Sequence, residues 1–219
     1  MSALQLVSEI EYQGPKRGAD RAVLLAHGAG ADMHAATLTT FADALAASGV
    51  PAMRFNFPYR SAGKRAPDRA PVLAAATREA AAELARRTKL PPDRLVLGGR
   101  SMGGRYASLA VGDADDPLPA LGLALLGYPL HPAGHPEKLR VEHFPRLHVP
   151  VLFVSGTRDS LAGADVLRRH AQTIRGPVEL YWIESADHGF RPLKASGITT
   201  ETALRDAAAA VVAWVTALS

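Results

Sequence analysis

No cysteine occurs in the 219 residues, which excludes disulfides, thiolate metal ligation and a cysteine nucleophile. Aromatic residues make up only 6% of the chain, and no basic stripe is interleaved with them, so nucleic acid is not an expected partner. Long hydrophobic runs are missing too. Stretches such as "LGLALLGYPL" fall far short of the ~20 apolar residues that span a bilayer, so no membrane partner is expected. The start "MSALQLVSEIEYQG" lacks a basic region followed by a long apolar run, so it does not read as a secretory signal and a cytoplasmic location is expected. Charge is not segregated by sign: 25 Lys+Arg against 21 Asp+Glu leave a net +4, without long like-charge runs.

What is present is the composition of a folded globular chain, 47% apolar and 21% charged. Short apolar runs alternate with helical periods along its length. "ALQLVSEIEY", "RAVLLAHG", "VPAMRFNFPYR", "PPDRLVLGG", "ALGLALLGYPL", "VPVLFVSGTRD" and "PVELYWIE" read as strands. Between them Ala36–Ser48, "VLAAATREAAAELARRT", Met102–Val111 and "AGADVLRRHAQTI" read as helices, and Thr200–Leu218 as a last amphipathic one. This alternation predicts a single α/β domain over residues 1–219, a doubly wound, mostly parallel sheet with helices on both faces. Only Pro129–His148 is aperiodic, too short for a large lid, and reads as a surface excursion or a small flap.

Two glycine turns carry the chemistry. In "LVLGGRSMGGR", Gly98 and Gly103 have the spacing of a phosphate loop, but Gly104 and Arg105 follow where Lys and Ser or Thr are required. In "HGAGADM", Met33 stands where a dinucleotide fingerprint needs glycine. The stretch Gly99-Arg100-Ser101-Met102-Gly103 is instead G-x-S-x-G after a strand and before a helix, the pattern of a nucleophile elbow. Three further requirements are met downstream and upstream. Asp159 follows one late strand, His188 follows another, and Gly28–Gly30 follow an early strand, giving the chain order Ser, acid, His. Ser101 is therefore the expected nucleophile, His188 its base and Asp159 the residue that orients the base. The backbone N–H groups of Ala29 and Met102 are the expected oxyanion donors.

Residues beside those strand ends are candidates for substrate contact: Gly28, Arg60, Arg100, Tyr128 and Arg158, the arginines suiting an anionic group. His131, His135 and His143 lie in the aperiodic segment as solvated loop residues, and no metal site or cofactor is expected. His27 is expected to support the backbone of the glycine loop.

With "HGAG", "GRSMGG", "GTRD" and "ADHGF" in place, the chain resembles the α/β-hydrolase fold family over nearly its whole length, most of all its small dienelactone-hydrolase-like and carboxylesterase-like members. "FNFPYR", "LLGYPLHP" and "HPEKLRVEHFP" are similar to compact relatives described as testis-expressed or as components of a histone-acetyltransferase complex. Dienelactone hydrolases proper use cysteine, so the resemblance implies a serine hydrolase of small esters or thioesters rather than that reaction. The same triad serves acyl transfer, and the fold also serves non-catalytic binding proteins.

Overall fold

The computed structural model describes residues 6–15 and 17–219. Its strands are β1 Ile10–Gln13, β2 Ala22–Ala26, β3 Ala52–Phe55, β4 Leu95–Arg100, β5 Gly122–Leu126, β6 Val151–Gly156 and β7 Val178–Ile183. They form one sheet in the order β1-β3-β2-β4-β5-β6-β7. Only β1 runs antiparallel to its neighbour; all other pairs are parallel.

The apolar runs become strands because both faces of this sheet are covered. Along β2, Leu24 faces one side with Ala22 and Ala26, while Val23 and Leu25 face the other. Helices α1 Ala36–Ala47 and α6 Thr200–Ala217 bury Phe41, Leu45, Val211 and Trp214 on the second side. Helices α3 Ala70–Thr88, α4 Met102–Val111 and α5 Ala164–Ala171 bury Leu73, Leu84, Tyr106 and Leu167 on the first. Each such leucine, fully removed from water, contributes about 1.5–3 kcal/mol.

Two expected boundaries move. The first strand is confined to Ile10–Gln13; Leu6–Glu9 have no strand pairing, and Ala3–Gln5 lie outside the described residues. "FPYR" does not continue β3 but turns into a helical turn, α2 Pro58–Ser61, since Pro58 supplies the φ of a first helical position and no N–H for a ladder. Pro129–His148 is irregular except for a single 3₁₀ turn at Phe144–Arg146. It is not loose, because Leu130, Phe144 and Leu147 are fully buried beneath it.

The strand order also fixes where a ligand can sit. After β2 the chain moves to β3 on one side, and β4 then inserts on the other. The loops leaving β2 and β4 therefore diverge and open a crevice at the carboxyl ends of these strands.

Candidate active site

Ser101 stands in that crevice, between β4 and α4, with φ 50° and ψ −111°. A side chain is strained there, and the neighbourhood holds it in place. Its N–H donates to Leu126 O at 2.9 Å. Glycine on either side makes the turn possible: a Cβ at Gly99, itself at φ +144°, would fall 2.1 Å from Ala26 O, and one at Gly103 would fall 2.2 Å from the same oxygen. The elbow is thus pressed directly onto β2.

The structure brings Ser101, His188 and Asp159 together. Ser101 Oγ is 3.0 Å from His188 Nε2. His188 Nδ1 is 2.8 Å and 2.9 Å from the two Asp159 carboxylate oxygens. The Asp159 side chain is fully buried, whereas that of His188 keeps 23% exposure. Asp159 is pinned in turn, because its Oδ1 accepts the Leu161 N–H at 2.8 Å. With Nδ1–H donating to the carboxylate, Nε2 is left as the acceptor for the serine hydroxyl.

The loop after β2 faces the elbow. Gly28 lies against the elbow, where a Cβ would be in ordinary contact with Arg100 O and Ser101 Cβ, at 3.5 Å and 3.6 Å. Phe57 N–H donates to His27 Nε2 at 3.1 Å, so the proton of this ring is on Nδ1, which donates to Gly28 O at 2.8 Å. His27 is wholly buried, and burial lowers its pKa, which keeps it neutral. Tyr59 Oη donates to Ala29 O at 2.8 Å, and burial pushes its own pKa up to about 12. The carbonyls of Gly28 and Ala29 are thereby held by side chains. Met102, at the first position of α4, has an N–H for which the helix provides no acceptor.

Arg100 is a half-buried charge at the site. Its Nη1 donates to Leu126 O and Gly127 O at 3.4 Å and 3.3 Å, and lies 3.3 Å from His188 Nε2. Its Nη2 donates to His188 O, and its guanidinium carbon sits 4.7 Å from the centre of the Phe190 ring. Burial lowers its pKa to about 10, so it stays charged at neutral pH.

Two clefts meet at Ser101. One, of about 640 Å³, is lined by Gly28, Ala31, Leu38, Arg100 and His188. The other, of about 370 Å³, is lined by Ala29, Met102, Arg105, His131 and Arg140. Three expected contacts line neither. Tyr128 is fully buried in the core against Phe144 and Phe153, its hydroxyl donating to Arg140 O at 2.6 Å. Arg60 pairs with Asp32 at 3.4 Å. Arg158 is exposed, and its side chain donates to Ser185 O at 3.5 Å. His143, expected in solvent, is 2% exposed, with Nε2 2.8 Å from Ser108 Oγ. The aperiodic segment showed no face from which this could be read. Nor did sequence spacing reveal Tyr59, or Arg105 and Arg140, which are far apart in the chain. No group of three metal-ligating side chains occurs among the described residues, and no helix there is long and apolar enough to cross a membrane.

A crevice at the strand ends, a serine on a strained strand-to-helix turn and a buried acid behind a histidine together define the architecture of an α/β hydrolase. The chain belongs to that family: the family model for the alpha/beta hydrolase domain matches residues 19–216. Solved structures share the fold at low identity. An alpha-beta serine hydrolase homologue from Coxiella burnetii superposes with TM-score 0.72 at 18% identity, over 93% of this chain and 89% of the other. A dienelactone hydrolase from Anabaena variabilis gives 0.71 at 18%, covering 95% and 91%. The esterase domain of a Rhodothermus marinus protein gives 0.67 at 18%, covering 94% and 90%.

Proposed function

We propose that the chain is a serine hydrolase that cleaves small carboxylic esters or thioesters through an acyl-enzyme on Ser101. The observation that carries this reading is the relay itself, 3.0 Å from Ser101 Oγ to His188 Nε2 and 2.8 Å from Nδ1 to a fully buried Asp159 carboxylate.

The geometry supports the following roles. His188 Nε2 takes the hydroxyl proton as Ser101 Oγ bonds to the carbonyl carbon. The oxygen gains negative charge and is received by the N–H groups of Ala29 and Met102, each such donor being worth about 3–4 kcal/mol. Collapse breaks the bond to the alcohol or thiol, which leaves with the proton from His188. Water then attacks the acyl carbon, gives its proton to Nε2, and collapse frees the acid while the proton returns to Ser101. Asp159 keeps Nδ1 protonated and stabilises the imidazolium throughout. Protons and bonds balance over the cycle with one water consumed.

Ser101→Ala is expected to fold and to lose hydrolysis of acetyl and butyryl esters by roughly 10³-fold or more. A fluorophosphonate probe should label the native chain at Ser101 and leave the variant unlabelled. Near-full esterase activity in Ser101→Ala would overturn the reading.

A further inference from the structure

The smaller cleft beside Ser101 holds two guanidinium groups for which the hydrolytic steps have no use. Arg105 lies one turn into α4, its N–H bonded to Ser101 O at 3.0 Å. Arg140 comes from the Pro129–His148 excursion and lines the same cleft. Both side chains are partly buried. Arg21, Arg60, Arg78, Arg86 and Arg87 each have a carboxylate within 4.0 Å, whereas among the described residues neither Arg105 nor Arg140 has one.

Three details bear on the charge of this cleft. Arg105 Nε is buried without a hydrogen-bond partner. Arg140 is held below the usual guanidinium range, first by burial and then by the positive charge of Arg105. Asp68 lines the same cleft, yet it pairs with neither arginine, and its Oδ2 is itself buried without a partner. Arg105 thus keeps one unmet buried donor and acts with its positive charge on Arg140, in a cleft that also borders Ser101. An oxyanion between them would remove the repulsion and accept their planar forks.

We infer that this cleft is an anion subsite, in which Arg105 and Arg140 receive a carboxylate or phosphate group carried by the ester or thioester that Ser101 attacks. This rests on the proposed hydrolase and narrows its substrates to anionic ones. The excursion then has a role in recognition, because it supplies Arg140 and His131 to the wall.

Two matched pairs of esters test it. Mono-4-nitrophenyl glutarate against 4-nitrophenyl pentanoate places the charge on the acyl side; 4-acetoxybenzoate against its methyl ester places it on the alcohol side. At fixed low ionic strength, one pair should favour the anion by about tenfold or more in kcat/KM. In Arg105→Gln and in Arg140→Gln that ratio should fall towards one, and Arg140→Gln covers the case in which the helix variant fails to fold. Calorimetry with glutarate and with inorganic phosphate reads the subsite without catalysis, and its two arms separate carboxylate from phosphate recognition. Binding by the native chain that is lost in both variants supports the subsite. No binding of either anion, binding that survives both substitutions, or binding without any preference in kcat/KM between the members of an ester pair that the chain cleaves overturns it. Anion binding by a chain that cleaves no ester leaves the subsite standing and removes the hydrolase; ester cleavage without anion binding does the reverse.

Discussion

Arg100 divides its donors between the loop after β5 and the loop that carries His188, and so ties the base to the sheet. As a residue beside the nucleophile it had been expected to meet substrate; its nitrogens are instead largely committed to protein oxygens. Arg100→Met keeps a side chain against Phe190 but unties the histidine loop. A base displaced by even 1 Å costs up to about 10²-fold in rate. We expect kcat to fall roughly 10–100-fold with KM much less affected, and Arg100→Lys to recover part of the loss. Steady-state kinetics on a butyryl ester decide this; a change confined to KM would make Arg100 a substrate ligand after all. That Ser101, Asp159 and His188 lie close together was legible in the sequence, because an elbow imposes small neighbours two positions away and a strand before, and the other two each follow a late strand. Arg100 was legible only as a neighbour, since nothing in spacing says which loop a long side chain will reach. Tyr128 misled for a related reason: a strand end can turn its aromatic ring into the core as easily as into a cleft.

Among the elements, the Pro129–His148 excursion decides the size of the site. It is pinned from below by Leu130, Phe144 and Leu147, and its upper edge forms a wall of the smaller cleft without a helix to close over Ser101. A long acyl chain would remain in water, forgoing about 0.8 kcal/mol for each CH₂ left exposed. For 4-nitrophenyl esters of increasing length, kcat/KM should therefore peak between two and roughly six acyl carbons. No interfacial activation is expected. A maximum at twelve carbons would mean that the excursion folds over the site. Strands and long helices could be read from sequence because a sheet covered on both faces makes nearly continuous apolar runs and each helix keeps one apolar stripe. The excursion could not, because its anchors obey no period, and α2 was hidden because Pro58 follows a run with strand composition.

For the molecule as a whole, acid stability follows from the same excursion. Ser108 Oγ donates to Arg105 O at 2.9 Å, so it accepts from His143 Nε2–H, leaving Nδ1 buried as a bare lone pair. Burial, aided by the charges of Arg105 and Arg146, lowers the His143 pKa to about 4 from 6.5. The unfolded chain binds this proton first, so stability is intact above the unfolded value and is lost as pH falls from about 6.5 towards 4, by at most ~3 kcal/mol. His27, lowered in the same direction, adds to the trend. Thermal melts between pH 7 and 4.5 should show a falling Tm for the native chain and a shallower fall for His143→Phe. Equal slopes would place the acid sensitivity elsewhere.

Ser101 stands on the divide between two open clefts rather than at the bottom of one. Were the proposed acyl-enzyme to hold its acyl group in one cleft and the alcohol in the other, the two products would have separate exits. The first can depart while the second is still covalently held, and whatever enters next comes through the vacated door. Water and a competing alcohol therefore contend for a space that the acyl chain never occupies. On the proposed reading, the choice between releasing an acid and building a new ester would be made on the far side of the serine from the group being transferred, and the two preferences could change independently.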